Sequence, residues 1–154
     1  MFGKIISIND NEVIVEKVKT EKEVSVLNYH IVFEENNRKI VGEIVAVNGE
    51  TITILLVGEI KNNIFISGVI KKPNFKTIPR IILKSELELI LGNQDLSNNN
   101  ILNIGNSYIY ENFKVTVNIN ELLSNHFAIL GNTGSGKSCG VARLIQNIFD
   151  FEKD

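Results

Sequence analysis

The 154-residue chain has one cysteine, two prolines, no long apolar run and no excess of positive charge. A single cysteine, Cys139, excludes an internal disulfide framework and a cysteine zinc site, and it fits a reducing, cytoplasmic setting. The longest apolar stretches, such as residues 52–57, are far shorter than the roughly 20 residues that cross a bilayer. The opening Met1-Phe2-Gly3-Lys4 carries no signal-peptide pattern, so no membrane partner is expected. With a net charge of −2, no global basic field gathers nucleic acid.

The charge is unevenly spread. Residues 1–70 hold seven basic and ten acidic side chains, and residues 85–154 hold four and eight. Between them Lys71, Lys72, Lys76, Arg80 and Lys84 form a basic strip without an acid. The strip reads either as a solvated linker or as a surface for phosphate or an acidic partner. Five neutralised phosphates would give a log–log salt slope of at most about −4.5.

Residues 1–70 alternate short β-branched runs with turn signals. Strands are expected over residues 4–8, 13–18, 31–33, 40–47 and 51–57. Asn48-Gly49 joins the last two, because both residues tolerate positive φ. Strands at this spacing predict a small antiparallel barrel, which would also remove exposed edges. Residues 71–112 read as a connector. In it Pro73 and Pro79 bracket a non-helical stretch, Ser85 caps a short helix over residues 86–91, Gly92 stops that helix, and residues 93–100 form a polar loop. Residues 113–154 read as the start of an α/β core. Phe113, Val115, Val117 and Ile119 alternate with polar residues as in a half-buried strand. His126-Phe127-Ala128-Ile129-Leu130 suits a buried parallel strand. Val141, Leu144, Ile145, Ile148 and Phe149 then fall on one face of an amphipathic helix.

Between that strand and helix stands Gly131-Asn132-Thr133-Gly134-Ser135-Gly136-Lys137-Ser138, which satisfies G-x-x-x-x-G-K-[ST] at every fixed position. Its residue types suit phosphate binding. Glycines allow close backbone approach, consecutive N–H groups form an anion nest, and the following helix presents its positive pole. ATP with Mg²⁺ is the expected ligand. Lys137 is the catalytic candidate, reaching the β- and γ-phosphates, and the Ser138 hydroxyl is the metal ligand. Cys139 lies in the same helical turn and is grouped with the nucleotide-contacting residues, although a small packing role is the simpler reading. His126 and His30 read as structural, because no acid or nucleophile stands beside them in sequence.

Hydrolysis also needs a second acid, a water-positioning group and commonly an arginine. Asp150, Glu152 and Asp154 lie at or beyond the end of the first helix, not after a second apolar strand. The reading is therefore the N-terminal piece of a longer ATPase, inactive by itself.

Ile104-Gly105, residues 115–119 and residues 122–138 together resemble the start of the ATPase core in the HerA family. Gly42-Glu43-Ile44-Val45-Ala46-Val47 resembles part of that family's N-terminal barrel. The resemblance implies a hexameric, RecA-like DNA translocase or helicase of the HerA/FtsK group. It also implies that the barrel docks a partner, often a nuclease such as NurA, and that bacterial relatives serve anti-phage defence with nuclease or sirtuin-like effectors. Only the nucleotide contacts at Gly131 to Ser138 carry over residue by residue. Cys139 stands where relatives often have asparagine. Two alternatives stay open: a barrel that acts as a partner-docking and oligomerisation module, and a P-loop ATPase that does not act on DNA.

Overall fold

The structure, a computed structural model, describes residues 2–19, 25–92 and 100–151. The chain divides into two compact units, Met1–Ile90 and Leu91–Asp154. The loop expected over residues 93–99 lies outside the described residues.

The first unit is mainly β. Its strands are β1 Phe2–Asn9, β2 Glu12–Lys17, β3 His30–Glu35, β4 Arg38–Asn48, β5 Thr51–Lys61, β6 Ile64–Ser67 and β7 Arg80–Ile81. They pair antiparallel in the order β1-β2-β5-β4-β3-β7, with β6 beside β5. The period-two alternation sends Val13 and Val15, Ile31 and Phe33, and Ile52 and Ile54 into one core with Ile40 and Ile44. The sheet curls as a half-barrel, but its two end strands, β1 and β7, do not pair with each other. The closed barrel expected from the strand spacing is therefore not formed among the described strands. β7 is only two residues long, with Pro79 before it and a helix soon after, and proline has no N–H to extend the ladder.

Turn chemistry differs from expectation at one hairpin. Asn48 pairs with Thr51, so the turn residues are Gly49-Glu50, and of these only Gly49 has positive φ, at 55°. Glycine at the first central position matches the II′ pattern. The double positive-φ turn is instead Asn62-Asn63, at 51° and 59°, which creates the β5–β6 hairpin. β6 was not expected from the sequence, because its residues follow two asparagines rather than Asn-Gly.

β4 bends at register shifts between Val41 and Gly42 and between Ile44 and Ala46. At the first, a Cβ on Gly42 would lie 2.4 Å from Ile54 Cγ2 and 3.2 Å from the Leu55 carbonyl oxygen. Ile54 is fully buried and cannot retreat. Gly42→Ala is therefore expected to destabilise the unit by roughly 1–3 kcal/mol, read as a lower denaturant midpoint. An unchanged midpoint would mean that the bulge adjusts freely.

The helix α1 spans Lys84–Leu91 and begins earlier than a Ser85 cap allows. Leu83 occupies the cap position. Its N–H donates to Glu86 Oε2 at 2.9 Å while its carbonyl accepts from the N–H groups of Glu86 and Leu87, which is the acidic half of a capping box. Gly92, at φ 102°, ends the helix.

In the second unit, β8 Ile101–Asn106 and β9 Lys114–Asn118 form an antiparallel pair, followed by α2 Ile119–Ser124 and α3 Lys137–Phe151. Asn118 caps α2 by accepting from the N–H groups of Asn120 and Glu121. Phe113 and Ile119 are buried as their alternation requires. Thr116, on the opposite face, is buried too, because the chain at Gly92 lies against it. A Cβ there would meet Thr116 Oγ1 at 2.2 Å.

Candidate functional site

The glycine-rich segment folds as a turn running directly into α3. Gly134 and Gly136 both take φ 82°, which places them in the left-handed region that glycine enters without strain. The Ser135 N–H donates to the Asn132 carbonyl at 3.1 Å, and the Gly140 N–H donates to that of Gly136 at 2.9 Å. The first intrahelical bond thus starts at Gly136. The N–H groups of the first helical turn lack i−4 partners by geometry and sit at the positive pole of the 15-residue α3. Lys137 folds back over the turn, its ammonium donating to the Asn132 carbonyl at 2.6 Å. Gly131 lies beneath it, where a Cβ would come within 2.6 Å of Ser135 Oγ and 3.4 Å of Lys137 Cγ. Gly134 and Gly136 need glycine for their positive φ, and at Gly131 a Cβ would displace the Ser135 hydroxyl; the turn brings one cation and one helix pole to the same place. Thr133, Ser135 and Ser138 line this exposed turn with hydroxyl groups.

Three expectations need correction. Residues 126–130 form no strand, and Phe127, Ile129 and Leu130 are exposed at 55%, 42% and 89%. A parallel strand needs a ladder partner, and none of the described strands of this unit runs beside it. His126 is accordingly exposed rather than the start of a buried strand. Cys139 is exposed and free, so it is not a packing residue. The apolar face of α3 is present at the expected spacing, and Asn147 Nδ2 ties the helix to the Asn103 carbonyl at 3.1 Å. Ile145 and Phe149 remain exposed on that face. His30 stands half-buried at the start of β3, where burial lowers its pKa against the opposing pull of Glu43.

The basic strip is neither a free linker nor a uniform cationic face. Arg38 holds it to the sheet by donating to the carbonyls of Lys71 at 2.7 Å and Lys72 at 3.0 Å. The Lys72 ammonium is bound to Asn11 Oδ1 at 2.7 Å. Arg80 forms paired bonds with Glu86 at 2.7 and 2.8 Å and further bonds with Glu34. Only Lys71, Lys76 and Lys84 keep uncommitted ammonium groups among the described residues of the strip. DNA binding by this chain is therefore expected to be weak, with a log–log salt slope no steeper than about −2.7 for three phosphates. A titration of anisotropy against salt that gave a slope near −4.5 would show that Lys72 and Arg80 are released on binding.

A glycine-rich turn with a folded-back lysine at a helix pole has the backbone donors and the cation to hold phosphate groups. Residues 102–154 match the family model described as "Helicase HerA, central domain". The DNA double-strand break repair helicase HerA of Pyrococcus furiosus is 30% identical over 110 residues, covering 71% of this chain and 19% of that protein. A probable helicase of Methanocaldococcus jannaschii is 40% identical over 55 residues, covering 36% of this chain and 11% of that protein. The match places residues 102–154 in the HerA central-domain family. The chain spans less than a fifth of the length of these curated relatives. No helix among the described residues is long and apolar enough to cross a membrane.

Proposed function

We propose that this chain is the N-terminal part of an ATP-driven DNA translocase or helicase of the HerA type. In this reading it works in the cytoplasm as a hexamer, with a nuclease or another effector protein docked on its β-rich unit. The observation that carries the reading is the turn at residues 131–138, where backbone donors, the α3 pole and Lys137 converge. These residues fit a triphosphate. The left-handed glycines leave the backbone bare, and Lys137 needs only to exchange one carbonyl for a phosphate oxygen. Bound MgATP would supply the transferable γ-phosphoryl group and the metal. The first-turn N–H groups would hold the phosphates, Lys137 would offset charge on the β- and γ-oxygens, and the Ser138 hydroxyl would face the magnesium. The family's partner and DNA functions come to this chain as part of the same proposal.

The test uses Cys139, which is exposed one residue after Ser138. In the full-length protein, with any other cysteines replaced, MgATP is expected to slow maleimide labelling of Cys139. Bound phosphates and their metal would limit access to a thiol one residue beyond Ser138. Equal, rapid labelling with and without MgATP, at concentrations that saturate hydrolysis, would remove nucleotide from this turn.

A further inference from the structure

Two clefts on the first unit share a wall. One, of about 830 Å³, runs past Lys76 and Ile78. The other, of about 650 Å³, runs past Ile66 and Ile70. Arg38, Lys61 and Lys71 line both, so the clefts form one continuous trough. Its carboxylates are already committed. Glu59 lies 3.5 Å from Arg38 and 2.6 Å from Lys61. Glu35 accepts from Arg38, from the Asn74 N–H at 2.7 Å and from the Thr77 hydroxyl. Glu34 accepts from Arg80. Lys71 and Lys76 are exposed and have no carboxylate partner among the described residues. The trough is therefore electropositive although its lining contains acids.

The same trough displays aliphatic side chains. Ile66, Ile70 and Ile78 are 51%, 99% and 60% exposed. No aromatic residue lines it, so it offers nothing on which a base could stack. A phosphate backbone would use the two lysines and leave the isoleucines in water. β6, which carries Ile66, pairs only with β5 among the described strands, so its outer edge has main-chain groups open to an extended segment.

We propose that this trough docks an extended segment of a partner protein in which acidic and aliphatic residues alternate. Its carboxylates meet Lys71 and Lys76, and its apolar side chains cover Ile66, Ile70 and Ile78. The proposal gives a location and a chemistry to the partner docking in the functional reading above, but none of its readouts involves nucleotide. Its failure would leave the helicase reading standing.

The probe is a short fluorescent peptide alternating leucine and glutamate, titrated by anisotropy into the full-length protein. A leucine–lysine peptide and a single-stranded oligonucleotide serve as controls. The acidic peptide is expected to bind and the basic one not to bind. Reversing both Lys71→Glu and Lys76→Glu should weaken binding roughly tenfold or more, as for close charge pairs across an interface. The neutral pair Lys71→Gln and Lys76→Gln should lose less, and this pair guards against misfolding caused by charge reversal. Replacing Ile70→Ser and Ile78→Ser should also weaken binding several-fold, with the unfolding midpoint unchanged. Equal affinity across these variants would overturn the proposal. So would an oligonucleotide that displaces the peptide and depends on the lysines but not on the isoleucines, since that would make the trough a phosphate surface.

Discussion

Replacing Lys137 with alanine is expected to reduce ATP hydrolysis by the full-length protein at least about a hundredfold, the usual loss when one preorganised charge-stabilising donor is removed. The change should leave the first unit folded, because Lys137 bonds only to the turn carbonyl of Asn132. The Lys137→Arg variant is a useful companion. It keeps the charge, but a planar guanidinium on a longer stem does not reproduce the compact ammonium that reaches the Asn132 carbonyl at 2.6 Å. Steady-state hydrolysis and thermal unfolding should be measured together. Hydrolysis within twofold of wild type in Lys137→Ala would place the reaction elsewhere.

The second large effect concerns the Arg80–Glu86 pair. Glu86 is 4% exposed. Burial pushes its carboxyl upward, but hydrogen bonds from Arg80, Lys39 and the Leu83 N–H outweigh this and hold it at about 2, against an ordinary 4.5. A depressed carboxylate pKa stabilises the fold above about pH 4.5, and that stability is lost as pH falls from there towards 2. The shift corresponds to at most about 3 kcal/mol. Glu86→Gln is therefore expected to cost about 2–3 kcal/mol at neutral pH and to flatten the acid limb of the stability curve. Urea unfolding of wild type and variant at neutral and acid pH checks both statements. A difference that stays constant across this range would mean that Glu86 does not carry its charge into the folded state.

The first unit was largely legible because period two in residues 13–15, 31–33 and 52–54 places side chains on one face whatever the turns do. The turn at Asn48-Gly49 was misplaced by one residue. Asn-Gly permits two registers, and the pairing of Asn48 with Thr51 selects the one with Gly49 first. Closure of the barrel was not legible, since it depends on the length of β7, a tertiary outcome of Pro79 and the α1 cap. The basic strip misled for a similar reason. Charge order in a chain does not reveal that Arg80 and Lys72 find Glu34, Glu86 and Asn11 from other elements of the unit. The turn at residues 131–138 was legible because its constraint is local, with glycine at 134 and 136, the two points where the backbone takes positive φ. The strand before it was not, because an apolar pentapeptide specifies burial but cannot supply its own ladder partner.

Arg38 grips the strap at residues 71–72 by two carbonyl oxygens, not by side chains. Every amino acid supplies that oxygen, so mutation at exposed position 71 can alter the charge and shape shown to solvent without loosening this grip, whereas at 72 it would also remove the bond to Asn11. Pro73, buried next in the chain, has no N–H to satisfy. The grip on the strap and the charge displayed at position 71 are thereby set by different atoms, so the charge can change while the sheet beneath stays the same.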